Sequence, residues 1–576
     1  MRRTGSDVGG SRYWAVALIL AAGIGLGFPA LHNGMPNGHD SYEHVSRYSS
    51  VASQFREGEI YPRWLANMNS GLGSPVLFVY APLPYFVPAF LSPLLRLGFG
   101  KNDLLELGVS VWLALSLSGI SAWLWLRMVA SSRAATIAAI LYMLMPYHLT
   151  VDLYTRGAVA EMWAFVWMPL TLCFSALLLR KRSRVAMVGL ALSYSALLFT
   201  HLLIAFIFTP ILVAATVCFA TTGNRAVAIR NAGAALVLGL GLSAAYIIPA
   251  LAHEKNIPRE RDYLAQTYDR HFIFTGRVWT GTSSDDRFLR KTSWLTLSTA
   301  AAAICAFLLT LRPNRTRKHD IFWAVVALVS LTMMLPVSGL LWKIIPVLPA
   351  IQFPWRFNAI LALAAAVLLA SAVDAVRGSW SAWRVLLSAG IACVALLWMG
   401  VAAKEILFRA PWKPAMTRPF GDTLVAVWAR WTDPQFLTAQ GVARLNAQST
   451  IREGVQGEIS VEQWSPREIR FTSNTQHDNW LIARRLYYPG WIATTESGRA
   501  LEIGPSPGTG LIQVKAPGGT NKIHLVLPWG WTEKLGMALT VLCGLLASVL
   551  LLSGLRAGFD KSGVTSEEES AAEVNL

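Results

Sequence analysis

The sequence predicts an α-helical polytopic membrane protein of about twelve spans, carrying a small extracytoplasmic β-sandwich before the last span. Three observations lead there. Of 576 residues, 54% are apolar and only 14% are charged, against roughly 25% charged in soluble domains, which excludes a water-soluble globule. The apolar residues gather in runs of about 17 to 21, the length that crosses ~30 Å of hydrocarbon at about 1.5 Å per residue. From about residue 450 the pattern changes to short segments of strand composition separated by Gly, Pro and Asn. The mean hydropathy of +0.44 agrees with a membrane chain. A formal net charge of +17 would suit a nucleic-acid binder, but its meaning depends on where Lys and Arg lie along the chain.

Residues 1–31 have a basic start and an apolar core with no convincing small-residue cleavage site, so 13–31 reads as a first span. Further spans are expected at 104–126, 134–150, 159–179, 185–200, 203–220, 232–251, 293–311, 321–335, 357–374, 384–402 and 535–555. The apolar run 185–220 is too long for one helix and is divided at Thr200 and His201. The short connections after 126 and 179, at 221–231 and at 312–319 are strongly basic, which places them in the cytoplasm by the positive-inside rule. With the basic residues near both ends and at 377 and 384, nineteen Lys and Arg fall on that side. Only Arg156, Lys343 and Arg356 lie in the short connections opposite. Both termini are therefore expected in the cytoplasm of a bacterial inner-membrane protein, and the charge is a topology signal, with no nucleic-acid partner implied.

Two apolar stretches are not counted. Val76 to Leu95 carries Pro82, Pro84, Pro88 and Pro93, which break helical hydrogen bonding, and counting it would move the basic loops to the wrong side. It is expected as a juxtamembrane or re-entrant segment within one long outside loop, 32–103. Leu335 to Phe357, with Pro336, Pro346, Pro349 and Pro354, is expected to re-enter in the same way. All five cysteines fall inside spans, so none can staple the outside loops.

The chain thus divides into a transmembrane domain over 1–402, an outside domain over 403–533, and a last helix with an acidic cytoplasmic tail over 534–576. In the outside domain GEISVEQW, REIRFTS, NWLIARRLYY and KIHLVL have strand length and composition, and about 80 residues suffice for a small core. It serves either as a structural cap or as a carbohydrate-binding surface presenting Trp and Tyr. The tail TSEEESAAEVNL is expected to be disordered, being too polar to bury a core.

The first outside loop opens with GHDSYEHVSRYSSVASQFREGEIYPRW. On a helix Asp40, His44 and Arg47 share one face, with Glu43 beside them. Asp40 is then either a catalytic carboxylate or half of a capping box with Glu43. No P-loop, HExxH, CxxC, GxSxG or HxH pattern occurs, so neither a nucleotide cofactor nor a multi-histidine zinc site is expected. Asp285 and Asp286 in TSSDD are candidates for a divalent metal, or simply two solvated loop carboxylates. No DxD pattern decides between them.

The motifs GHDSYEH at 38, YPRW at 61, GLGSPVLFVYAPLPY at 71, DLYTRGAVAE at 152, FTHL at 199 and QFPWRF at 352 carry a resemblance to known families. A long first outside loop with an Asp near its start, a helix, and a Pro- and aromatic-rich segment before the second span resembles the GT-C superfamily of polytopic glycosyltransferases. More closely, the sequence is similar to the bacterial integral membrane family labelled 6-pyruvoyl-tetrahydropterin-synthase-related, over roughly residues 1–400. YYPGW at 487 is similar to the outside sandwich of related membrane proteins.

The GT-C resemblance implies sugar transfer from a polyprenyl-phosphate donor to a glycan, lipid or protein acceptor on the outer face of the bilayer. Asp40 would be the base that accepts the acceptor's proton. Arg156 and Arg356, with Arg63 as a third possibility, would hold the departing phosphate, a task the planar guanidinium suits; each is equally well a snorkelling or headgroup-facing Arg. Glu161 would orient Arg156 or sit at a helix N-terminus. His44, Tyr80, Asp152, Tyr154 and His201 complete the expected substrate-binding set, with structural roles as the alternative. Two other functions compete: a transporter or flippase of lipid-linked saccharide, and a non-catalytic scaffold binding envelope polysaccharide. The span centres hold almost no ionisable groups, which favours surface chemistry over transport.

Overall fold

The computed structural model describes residues 5–409 and 451–573, apart from 70, 182, 221–224, 257–267, 312–317, 377–380, 454–456 and 508. Parts of the basic connections, including Arg182, Arg315 and Arg377, and the 410–450 stretch of the outside domain lie outside the described residues.

The chain opens with α1 (Gly5–Asn33), α2 (Ser41–Arg56), α3 (Leu83–Phe99), α4 (Asp103–Leu126) and α5 (Ser132–Leu144), which continues past Pro146 as a π-helical segment, Tyr147–Arg156. Then come α6 (Val159–Lys181), α7 (Arg184–Thr200), α8 (Leu202–Phe219), α9 (Arg225–Leu242), α10 (Ala244–His253), α11 (Gly276–Thr280) and α12 (Ser284–Thr310). After these lie α13 (Lys318–Met333), α14 (Gly339–Ile344), α15 (Asn358–Val376), α16 (Ala382–Phe408) and, beyond the strands, α17 (Trp531–Glu573).

Among the described residues, ten helices are long and apolar enough to cross a membrane, or eleven if the pair Lys318–Met333 and Pro336–Ile344, bent by 85°, is one span. The chain is a multi-pass membrane protein. The count falls below the twelve expected for two reasons: α7 has only 17 residues before it breaks at His201, and α13 turns sharply at Pro336. That break lies where the long apolar run was divided. Almost every residue of α15 is buried, as expected of a helix apolar on all sides at the centre of a bundle. Helices α16 and α17 instead leave Leu386, Leu396, Leu407, Leu542, Leu545 and Val549 exposed, the mark of a lipid-facing surface.

Val76 to Leu95 forms no span. A short 3-10 turn, Val76–Phe78, precedes α3, whose first prolines sit where no intrahelical donor is needed. Helix α3 lies on α2 through Phe55, which meets Phe86 and Phe90 edge-on at 5.2 and 5.1 Å. Arg96 ties it to α4, bonding Glu106 at 2.7 Å and Asp103 at 3.1 Å.

The strand domain contains β1 (Ile451–Glu453), β2 (Gly457–Ser465), β3 (Glu468–Thr475), β4 (Asn479–Leu486), β5 (Ile492–Thr495), β6 (Ala500–Leu501), β7 (Ile503–Pro505), β8 (Leu511–Ala516) and β9 (Gly519–Val526). They form two antiparallel sheets, ordered β1-β4-β8-β7 and β2-β3-β9-β5-β6. Alternate residues point inward, so Ile469, Phe471, Leu481, Ala483, Ile512, Val514, Ile523 and Leu525 make one core from both sheets. The segment between α2 and α3 enters that core with Trp64, Leu72 and Phe78, and the Leu486 N–H donates to the Leu72 carbonyl at 2.8 Å. The acidic tail, expected to be disordered, continues α17 as helix to Glu573.

Candidate active site

The π-helical segment starts the site. Pro146 lacks the N–H that a continuing α-helix needs, and the chain tracks on with i→i+5 bonding until Gly157, which adopts φ +68. Such turns are rare and concentrate at functional positions. Here the segment brings Asp152 and Arg156 together, Arg156 Nη1 donating to Asp152 at 2.8 Å.

The 36–41 loop docks on the end of this segment by its backbone. The N–H groups of His39 and Asp40 donate to the carbonyls of Thr155 and Arg156 at 3.2 and 2.7 Å. Gly38 is required by the close approach, since a Cβ there would stand 2.4 Å from the Arg156 carbonyl carbon. The Ser41 hydroxyl accepts from the Gly38 N–H at 2.9 Å and donates to the Pro36 carbonyl at 2.7 Å. Asp40 occupies the N-cap position of α2, yet its side chain makes no cap bond. Its carboxylate instead accepts from Arg156 Nη2 at 3.0 Å.

Glu161, in the first turn of α6, is buried between two arginines. Its Oε2 accepts from Arg156 Nη1 and, at 3.0 Å, from the Tyr147 hydroxyl. Its Oε1 accepts from Arg356 Nε at 2.8 Å. Arg356 also donates Nη1 to the Ile351 carbonyl at 2.6 Å. The preceding Gln352 holds φ +65, a strained conformation for a residue with a side chain. Arg156 lies over the Trp355 ring and Arg356 over the Phe353 ring, each at 4.8 Å. His201 caps α8, its Nδ1 accepting from the Ile204 N–H at 3.2 Å. That leaves the proton on Nε2, 3.5 Å from Glu161 Oε1.

Helix α2 supplies the opposite wall. His44 Nδ1 is 2.8 Å from the Tyr85 hydroxyl, to which Arg47 Nη1 also donates at 3.3 Å. Arg47 pairs with Glu43 at 3.4 Å and lies 4.4 Å from the centre of the Tyr80 ring. Burial first, and the Arg47 cation second, hold the His44 pKa well below its ordinary value, so the ring is neutral at pH 7. Burial lowers His39 as well, although Asp40 opposes the shift.

These walls enclose a cavity of about 570 Å³. Four candidate spans begin or end at it, through Arg156, Glu161, Arg356 and Ser284. Of the ten residues singled out in the sequence, Asp40, His44, Tyr80, Arg156, Glu161, His201 and Arg356 line it. Asp152 is buried directly behind Arg156. Two do not belong. The Tyr154 hydroxyl donates to the Leu26 carbonyl in α1, because the segment is helical where a loop was expected and the ring turns into the bundle. Arg63 is buried elsewhere, donating Nη1 to the Ala245 carbonyl at 2.7 Å beneath the Tyr61 and Phe78 rings. The cavity also contains His39, His271, Asp285, Phe288 and Trp355. Of these, Trp355 lies within the QFPWRF motif, His39 within GHDSYEH, and Asp285 is half of the TSSDD pair, while His271 and Phe288 had no sequence signal.

Asp286, half of the candidate metal pair, completes a capping box with Ser283, the N-cap of α12: its N–H donates to the Ser283 hydroxyl oxygen at 3.1 Å and its carboxylate accepts from the Ser283 N–H at 3.3 Å. Among the described residues no group of three His, Cys, Asp or Glu is placed to hold a metal ion. A second cavity, of about 680 Å³, lies between α10, the strands and the start of α17. Its Arg467 and Glu533 pair with each other at 3.2 Å, and it holds none of the residues singled out above.

The family pattern described as 6-pyruvoyl-tetrahydropterin synthase related domain, membrane protein, matches residues 77–406, more than half of the chain. No curated protein matches. Among solved structures, arabinofuranosyltransferase AftD from Mycobacteria is similar with a TM-score of 0.45 at 17% identity, over 68% of this chain and 27% of that one. A mutant of the same protein gives 0.43 at 17%, over 68% and 28%. ArnT from Cupriavidus metallidurans, solved bound to undecaprenyl phosphate, gives 0.33 at 17%, over 62% and 77%. This chain thus spans little more than a quarter of the arabinofuranosyltransferase chain. It belongs to the 6-pyruvoyl-tetrahydropterin synthase related family of membrane proteins.

Proposed function

Proceeding from that membership, we propose that the chain is a GT-C type membrane glycosyltransferase. It moves a sugar from a polyprenyl-phosphate donor to an acceptor hydroxyl on a glycan, lipid or protein, at the extracytoplasmic face of a bacterial inner membrane. The observation that carries this reading is the convergence of Asp40, Arg156 and Arg356 on one cavity, bridged by the buried Glu161.

In the reaction the bond from the anomeric carbon to the phosphate oxygen breaks, its electron pair leaving with the phosphate. The acceptor oxygen bonds to the anomeric carbon and its proton passes to the Asp40 carboxylate. Charge therefore builds on the phosphate, where guanidinium donors stabilise it in a site shielded from water. Arg356 is suited to this: Nε and Nη1 are held by Glu161 and the Ile351 carbonyl, and Nη2 makes no hydrogen bond among the described residues. Pterin chemistry, which the family's label names, is not part of this reading; of the four histidines lining the cavity, His44 is engaged by Tyr85 and His201 by the α8 backbone.

The test is transfer of labelled sugar from polyprenyl-phosphate donors by the protein in nanodiscs. Asp40→Asn keeps size and removes the base, and lowers the rate by about 10²- to 10⁴-fold with an unchanged chromatographic profile. Full activity in that variant removes Asp40 as the base, and flipping of the donor with no new glycosidic bond points to a transporter instead.

A further inference from the structure

The charges around Arg156 suggest how the base is held until a donor arrives, an inference that rests on the reading above that a phosphate-bearing donor occupies this cavity. We propose that the donor's phosphate and the Asp40 carboxylate exchange on Arg156, so that phosphate binding releases Asp40 to act as the base.

Three carboxylates bond the Arg156 guanidinium, and they are not equivalent. Asp152 and Glu161 share Nη1, and their side chains are 0% and 1% exposed. Asp40 alone takes Nη2, and its side chain is 35% exposed. Removing the counterion from a buried carboxylate is strongly unfavourable, whereas Asp40 can turn to water. Asp40 is therefore the one of the three that an arriving anion displaces.

The neighbouring arginine presents the matching group. Glu161 holds one nitrogen of each guanidinium through separate oxygens, Oε2 on Arg156 and Oε1 on Arg356. Both arginines are thereby oriented from one buried carboxylate, and each retains an Nη2 that Glu161 does not use. A phosphate has enough acceptor oxygens to take both. Asp40 bonds only the Arg156 member of the pair. Phosphate and Asp40 carry the same sign, so occupation of Nη2 by one disfavours the other, and the coupling is reciprocal. The consequence is an order of events: with Nη2 of Arg156 on Asp40 the carboxylate is neutralised as a base, and donor binding frees it beside the acceptor.

The experiment measures binding of polyprenyl monophosphate, and separately of inorganic phosphate, to the full-length protein in nanodiscs. Exchange predicts that Asp40→Asn binds polyprenyl monophosphate about three- to tenfold more tightly than the unsubstituted protein, because a competitor for Arg156 is gone. An equal gain with inorganic phosphate supports an exchange made by the phosphate oxygens alone. A gain confined to the lipid supports an exchange that needs the chain for access. The Asp40 side chain makes no cap bond, so the variant keeps its helix start; Asp40→Ser is the second neutral variant should Asn not fold.

Glu43→Gln is the control for bulk charge. It removes a carboxylate from the same cavity that pairs with Arg47 and not Arg156. An equal gain in this control, or unchanged or weaker binding in Asp40→Asn, overturns the exchange. Loss of transfer in Asp40→Asn with unchanged phosphate affinity overturns the exchange while leaving Asp40 as the base. Failure of the unsubstituted protein to bind polyprenyl monophosphate or transfer sugar overturns the reading beneath it as well.

Discussion

His44 shows how a single residue couples the site to pH. It lies buried on α2 against Tyr85, and its pKa is held well below about 6.5 by burial and by Arg47. As pH falls through about 6.5 the unfolded chain binds a proton at this position and the folded chain does not, so folding is weakened. Unfolding temperatures taken from pH 8 to pH 5 should fall, and His44→Asn, which keeps a polar atom near Tyr85, should shrink that fall. His39 and His271 are lowered too, so part of the slope stays; a slope unchanged by the substitution contradicts the assignment. Residue identity alone left Asp40 as base or cap. In the fold its side chain makes no cap bond and faces Arg156. Arg63, a third possibility beside Arg156 and Arg356 in the sequence, and Tyr154 are turned away from the cavity by the backbone.

The decisive element is the turn from the π-helical segment into α6. A connection such as DLYTRGAVAE reads as a short outside loop, because π-helical bonding has no hydrophobic period of its own to register in the sequence. Its helical form, with Gly157 at φ +68 closing it, is what sets Asp152 and Glu161 around the Arg156 guanidinium. Gly157→Ala forces a β-carbon to 2.1 Å from Ser41 Oγ in a conformation that side chains rarely adopt. The expected loss is about 1–3 kcal/mol, read as a lower unfolding temperature. Ser41→Ala removes the nearest contact but also the bonds of its hydroxyl to Gly38 and Pro36 and leaves Met35 Cε 2.9 Å away, so the double variant should lose less than the sum of the two single losses; simple additivity would show that the Oγ clash is not the cause. The break between α7 and α8 falls at Thr200 and His201, where the length limit on a span divides the apolar run 185–220, yet α7 with 17 residues is too short to count as the span expected there.

At the scale of the whole molecule, the membrane bundle and the strand domain are joined by the segment between α2 and α3. Trp64 is fully buried in the strand domain's core, 6.2 Å from the rings of Tyr488 and Trp491. Trp64→Ala should cost about 3–5 kcal/mol, and the strands should be cut faster in limited proteolysis while the long helices stay protected. Equal cleavage rates would mean that the loop does not hold the domain. The sequence by itself determined the membrane class, the places of most long helices and the strand-rich segment from about residue 450, and singled out the GHDSYEH, DLYTRGAVAE and QFPWRF motifs. These are matters of length, period and local composition, properties that neighbouring residues carry together. Tertiary structure alone decided that residues 40, 156, 161 and 356 surround one cavity, that Arg63 and Tyr154 turn away from it, and that the segment between α2 and α3 belongs to the strand core. Such contacts join positions more than a hundred residues apart, and what brings them together is the packing of helices and the need of each buried charge for a partner.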